Sequence, residues 1–315
     1  MIRNRTPLPS ASFWLLAVLS TCVLTACARL GRMEDFVPTS VATEADFDTI
    51  AEYAAYAAAA YLPEEEIRKR YPGTVRVKAP AGTETLYFLE VLESSKVQTI
   101  SVRGTKTLGD VLHDIEFTIV RAVGLDITIH RGFQEDALLI YEDVKPFLRK
   151  DFSTRVTGHS LGAAVSAILM IYLQRDGYAV ERSVNFGQPK FTNAQGAERY
   201  KDLPLQRVVD ANDVVPMLPP PFALHPKHGA YAHTGEEIIL LDGRGYVRLN
   251  QHDSERISVG QFWRDLKLLS SDDHRMTNYI RRIESKRTSA KETNYLDWKS
   301  SKHSKPMEAG AKRAD

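Results

Sequence analysis

Gly158-His159-Ser160-Leu161-Gly162 has the spacing G-x-S-x-G. That pattern suits a strand turning sharply into a helix, with a serine hydroxyl presented at the bend. Ser153-Thr154-Arg155-Val156-Thr157 before it reads as a short strand, and Ala163–Met170 after it as a helix. Gly158 and Gly162 relieve crowding at such a turn, His159 completes the elbow, and the helix N-terminus offers free N–H groups and positive potential to a developing oxyanion. A serine placed this way does nucleophilic acyl transfer if a histidine takes its proton and a carboxylate orients the histidine. The order expected for such an elbow is Ser, then acid, then His. Leu205-Gln206-Arg207-Val208-Val209-Asp210 reads as a strand running into Ala211-Asn212-Asp213, which sets Asp213 at a strand's C-terminal end with Asp210 as its rival. The downstream histidines with a claim to be the base are His225, His228, His233, His252 and His274. The downstream His and Asp residues lack metal-ligand spacing such as H-E-x-x-H, and there is no phosphate-cradling glycine loop, so neither metal nor cofactor is expected.

The elements that must position these groups alternate. A helix is expected from Thr43-Glu44-Ala45-Asp46, read as a capping box, through Phe47, Ile50, Ala54, Ala57 and Tyr61 to Pro63. Strands are expected at 74–77, 85–91, 97–102, 153–157, 182–186 and 205–209. Helices are expected at 108–122, 133–148, 163–174 and 258–285, and a hairpin at 236–249 around Asp242-Gly243-Arg244-Gly245. Strands alternating with helices predict an α/β fold, a mainly parallel sheet covered by helices on both faces. The 315 residues carry 41 Lys+Arg against 40 Asp+Glu, a net charge of +1 that gives no reason to expect nucleic acid as a partner. At 43% hydrophobic residues the chain is too apolar to be disordered throughout.

The first 26 residues read as a leader. Arg3 and Arg5 form a positive start, and Phe13–Leu24 is an apolar run too short to span roughly 30 Å of hydrocarbon. Leu24-Thr25-Ala26-Cys27 resembles the lipobox of bacterial lipoproteins, in which the cysteine is acylated and becomes the mature N-terminus. By that resemblance the protein is exported and anchored in the bacterial cell envelope through Cys27, and Ala28 favours the outer over the inner membrane. Several acyl chains on one residue make a durable anchor where a single chain is marginal. The cysteines stand at 22 and 27, so the rest of the chain lacks thiols for a disulfide or a thiolate metal site.

Taken together the motifs resemble the class 3 (fungal-type) lipase family. The matching pieces are Arg103-Gly104-Thr105, His130-Arg131-Gly132-Phe133, Thr157–Ala164, Phe186-Gly187-Gln188-Pro189, Asn212–Pro216 with Pro219-Pro220, and Asp273-His274-Arg275-Met276-Thr277-Asn278-Tyr279. They follow in family order over residues 97–280. The resemblance implies an α/β-hydrolase fold and a lipase or carboxylesterase, acting on acylglycerol or related lipid esters. Ser160 would be the nucleophile, Asp213 the acid and His274 the base, with the oxyanion met by Leu161 N–H and by the N–H and hydroxyl of Thr105. It favours His274 over His233, because Tyr231-Ala232-His233-Thr234-Gly235-Glu236 resembles a separate family segment outside the triad. Ala163 stands where glycine is commoner, and Lys190 where arginine is usual.

The expected organisation is a leader at 1–26, a tether at 27–42, a catalytic domain at 43–285, and a polar basic disordered tail at 286–315 with eight Lys/Arg against four Asp/Glu. Lys106–Phe117 takes the family's lid position; Leu108, Val111 and Ile115 would share one helical face, as a moving lid or as a fixed helix. Two other functions use the same residues: a catalytically silent lipase-like envelope module, and an acyltransferase or peptidase.

Overall fold

The computed structural model describes residues 45–105, 118–220, 223, 227–257 and 272–303. Cys27, the leader and tether, the lid segment 106–117, the first part of the helix expected at 258–285, and residues 304–315 lie outside them.

Fourteen strands and seven helices carry labels. The strands are β1 (Thr74–Lys78), β2 (Tyr87–Leu92), β3 (Val97–Val102), β4 (Ile119–Arg121), β5 (Thr128–His130), β6 (Ser153–His159) and β7 (Ala179–Val180). They continue with β8 (Ser183–Phe186), β9 (Thr192–Asn193), β10 (Leu205–Asp210), β11 (Tyr231–Ala232), β12 (Glu236–Leu240), β13 (Gly245–Leu249) and β14 (Lys291–Glu292). The helices are α1 (Phe47–Ala59), α2 (Glu64–Arg70), α3 (Arg131–Val144), α4 (Leu161–Arg175), α5 (Ala194–Arg199), α6 (Met276–Glu284) and α7 (Tyr295–His303).

The main sheet runs β1-β2-β3-β6-β8-β10-β12-β13-β14, with β7 paired to β6. Every neighbour pair from β3 to β12 is parallel; β1, β2 and β13 add antiparallel edges. A parallel core must be covered on both faces, and it is. On one face α3 and α4 pack Phe133, Ile140, Tyr141, Ile168 and Tyr172 against Ile100, Val102 and Val156. On the other, α1 and α6 pack Phe47, Ile50, Tyr53, Tyr279 and Ile283 against Val184, Phe186, Val208 and Ile238. Helix α4 is buried from Gly162 through Leu173, which explains why its sequence is apolar on all sides. A smaller sheet, β11-β9-β5-β4, stands apart from the main one.

The sheet and the helices on both faces follow the expectation from sequence. Three local readings need correction. The first helix is capped by Asp46, whose carboxylate accepts from the N–H groups of Asp48 at 3.1 Å and Thr49 at 3.0 Å, so the cap falls three residues later than a box opened by Thr43 would place it. Residues 119–121, expected as the end of a helix, form β4, because Ile119 and Val120 pair antiparallel with His130 and Ile129. Residues 286–303, expected as a disordered tail, are folded: β14 pairs with β13, α7 follows, and Lys286 and Tyr295 are buried.

Candidate active site

Strand β6 ends at His159 and α4 begins at Leu161; the residue between them is Ser160, with φ 61° and ψ −132°. This is strained backbone for a residue with a side chain, of the kind held at functional sites by surrounding structure. The surroundings are visible. Ser160 N–H donates to Phe186 O at 3.0 Å, Thr157 Oγ1 donates to Val184 O at 2.6 Å, and Ser166 Oγ donates to Thr157 O at 2.8 Å. A Cβ at Gly162 would lie 2.4 Å from Val102 O, so only glycine lets α4 start this close to β3. Gly158 is buried within β6, and Leu161, half-buried, is the first residue of α4, where the backbone N–H has no partner inside the helix.

The acid comes from the loop after β10. Asp213 N–H donates to Asp210 O at 3.0 Å, and Asp213 Oδ1 accepts from Val215 N–H at 2.8 Å. Oδ2 is thereby directed to two other donors, His274 Nδ1 at 2.7 Å and Tyr279 Oη at 2.5 Å. Tyr279 Oη also accepts from Asp210 N–H at 3.1 Å. Burial holds the Tyr279 hydroxyl well above its usual range, with the Asp213 and Asp210 charges adding to the effect, so it remains a donor. His274 occupies the turn before α6. Its Nδ1–H faces the carboxylate, which leaves Nε2 as the basic nitrogen, buried and without a hydrogen-bond partner among the described residues.

The rivals have other work. Asp210 is fully buried in an ion pair with Arg282; burial pushes its carboxyl up to about 6 against the pull of that guanidinium. His233 Nε2–H donates to Pro216 O at 2.7 Å. Burial, with the Arg207 and Lys190 charges adding to it, holds its ring well below the usual imidazole range. Lys190 Nζ donates to Met217 O at 2.8 Å and Pro219 O at 3.2 Å, so His233 and Lys190 together hold the loop that carries Asp213. Burial pushes the Lys190 ammonium down to about 7, with the Arg207 charge adding.

Ser160, Asp213 and His274 are all buried, and Asp213 and His274 are bonded. Beside the serine, Gly104 packs closely enough that a Cβ there would sit 2.9 Å from Ser160 Cβ; Thr105 follows it and is exposed. Sequence reasoning quoted Tyr279 only within a motif and gave no role to Tyr61. Nothing local marks either one, since their partners lie 66 and 98 residues away along the chain.

A serine on a strand-to-helix elbow, an acid after a later strand and a histidine later still, on a mainly parallel sheet with helices on both faces, define an α/β-hydrolase. Residues 99–223 match the class 3 lipase family model. A lipase of Caenorhabditis elegans is 31% identical over 142 residues, covering 41% of this chain and 40% of that protein. The secreted mono- and diacylglycerol lipase 1 of Fusarium solani is 24% identical over 259 residues, 76% of this chain and 72% of that one. The chain thus spans about two fifths of the length of the nematode relative. The crystal structure of a lipase from Rhizopus microsporus var. chinensis shares the fold, with a TM-score of 0.61, 20% identity, and coverage of 76% of this chain and 90% of that one.

Proposed function

We propose that the protein is a serine-dependent carboxylic ester hydrolase, a lipase acting on acylglycerol or related lipid esters. The observation that carries this reading is the 2.7 Å bond from His274 Nδ1 to Asp213 Oδ2, which leaves Nε2 buried and unbonded among the described residues, in a chain whose elbow serine is also buried. In this mechanism Ser160 Oγ attacks the ester carbonyl carbon while Nε2 takes the hydroxyl proton. The oxyanion is met by the N–H of Leu161 and by the N–H and hydroxyl of Thr105. Collapse breaks the acyl–oxygen bond, and the alcohol leaves with the proton from Nε2. Water, deprotonated by the same nitrogen, then cleaves the acyl-enzyme. Asp213 keeps the imidazole in the required tautomer and stabilises the imidazolium. A fluorophosphonate probe should label Ser160, and p-nitrophenyl esters of two to sixteen carbons should be hydrolysed. Absence of both labelling and hydrolysis in folded protein would overturn the reading.

The reading extends to location. Leu24-Thr25-Ala26-Cys27 supports an acylated Cys27 that tethers the enzyme to the bacterial envelope, at the outer membrane, close to lipid substrate. The intact mass of native protein should show a lipidated N-terminus at Cys27, and Cys27→Ser should leave the membrane fraction. A mature start elsewhere with unmodified Cys27 excludes the anchor.

A further inference from the structure

Four segments distant in sequence meet beside Ser160 through two side chains with no step in the chemistry above. Tyr61, just past α1, accepts from Gly104 N–H at 3.2 Å and lies 2.8 Å from His159 Nδ1. His159 Nε2 lies 2.7 Å from the backbone oxygen of His274. The proton positions follow by elimination. A carbonyl oxygen can only accept, so Nε2 must carry a hydrogen. Burial holds the His159 ring well below the usual imidazole range, with the His274 charge adding to the effect, so the ring is neutral and Nδ1 carries a lone pair. Tyr61 must therefore donate to Nδ1, consistent with its accepting from Gly104. All three bonds run one way, from Gly104 N–H to Tyr61 O–H to His159 and on to His274 C=O, and chains of this kind strengthen cooperatively.

We propose, resting on the esterase reading above, that Tyr61 and His159 are positioning residues that lock the Gly104–Thr105 loop and the backbone of His274 in register on either side of Ser160. The fit is tight enough to exclude slack. A Cβ at Gly104 would lie 2.6 Å from His159 O and 2.7 Å from Tyr61 Oη. The His159 and His274 rings are 4.5 Å apart, and Tyr279 stands edge-on to His159 at 5.9 Å. The titratable groups facing His159 are thus Tyr61 from the end of α1, and His274 and Tyr279 from the C-terminal segment. The relay works only while His159 is neutral. A proton on Nδ1 would turn that nitrogen into a donor and force the Tyr61 hydroxyl to turn its own proton away, ending the one-way run of bonds between the two sides of the site.

The test uses the full chain with histidines labelled with ¹⁵N. Wild type should show His159 protonated at Nε2 alone, and refusing a second proton through the usual imidazole range. In Tyr61→Phe, Nδ1 loses its donor and is free to accept a proton, so the ring should titrate at higher pH. The acid limb of kcat/KM should move up with it. At neutral pH kcat should fall about tenfold, as expected for one lost buried hydrogen bond, with KM within twofold. His159→Gln, whose amide can still donate to a carbonyl, should retain more turnover than His159→Leu. If His159→Leu fails to fold, Tyr61→Phe carries the comparison. Equal His159 titration in wild type and Tyr61→Phe, or kcat within twofold and an unmoved acid limb, overturns the proposal. A wild-type protein that neither reacts with the fluorophosphonate nor turns over ester overturns the esterase reading instead, and the NMR titration still decides the relay.

Discussion

Asp213→Asn tests the acid with almost no change in volume. The carboxylate uses both oxygens: Oδ1 takes Val215 N–H, and Oδ2 takes His274 Nδ1–H and Tyr279 O–H. An asparagine has one oxygen and one NH2, so either orientation fails. With its oxygen toward Val215, the amide presents hydrogens to His274 Nδ1 and Tyr279 Oη. The histidine can then accept at Nδ1 only by moving its proton to Nε2, the nitrogen that must be bare to act as base. With its oxygen toward His274, the amide faces the Val215 N–H, donor against donor in a buried site. The second arrangement costs about 1–3 kcal/mol, so the first and its wrong tautomer should prevail. Turnover should fall roughly 10⁴-fold, the size of effect seen when a triad acid loses its charge. The assay is kcat on a soluble p-nitrophenyl ester beside a denaturant unfolding curve. A variant within tenfold of wild-type kcat would refute the claim that Asp213 sets the tautomer of His274.

Three further outcomes follow from the same contacts. Asp210→Asn should separate stability from chemistry: it breaks a buried pair with Arg282, costing about 3 kcal/mol in chemical denaturation, while kcat stays within tenfold because Asp210 holds Tyr279 through its backbone. Ser160→Gly should abolish turnover and yet unfold at a higher temperature than Ser160→Ala, because glycine tolerates φ 61° and releases strain worth about 1–3 kcal/mol. His233 is held well below the usual imidazole range. Below its unfolded value of about 6.5 the unfolded chain takes up a proton that the folded chain refuses, so stability is lost as pH falls below that value. His233→Gln can keep a donor toward Pro216 O, and its stability deficit relative to wild type should shrink steadily between pH 7 and 5 in denaturant unfolding; a constant difference would show that His233 titrates normally.

What was legible in the sequence was what is enforced locally. The elbow could be read because its crowding permits only glycine at set positions, and the β3-to-β10 core because its strands carry apolar residues and alternate with helices. The N-terminal cap was misread by three residues because Thr43 and Asp46 are both competent caps, and spacing alone does not choose between them. Residues 119–121 read as helix because their β-structure exists only by pairing with Thr128–His130. Composition called 286–303 disordered because it counts charge without partners. Lys286 is buried, its ammonium pushed down to about 8, and it donates to three carbonyls of Leu241, Gly243 and Arg282. No pattern in a charged segment announces carbonyls waiting 43 and 45 residues upstream.

That folded segment bears on the site through the helix it anchors. Helix α6 starts two residues after His274 and carries Tyr279, so its placement bears on both donors to Asp213 Oδ2. At its far end Arg282 pairs with Asp210 and Asp242, Ser285 Oγ donates to Gly243 O at 2.8 Å, and Lys286 closes onto Leu241 and Gly243. These contacts tie α6 to the turn of the β12–β13 hairpin. Lys291 N–H and Thr293 N–H, donating to Arg244 O and Tyr246 O, then fasten the following chain along β13. Arg282 and Lys286 serve at two of these anchors because the turn offers a carboxylate and carbonyls, and a buried acceptor left unpaired costs more than the bond returns. Lys286, one of the charges that made the segment look solvated, is therefore among the groups that fix the helix behind His274. The edge of the sheet farthest from β1 thus holds the helix that follows His274 and carries Tyr279, the donor to Asp213.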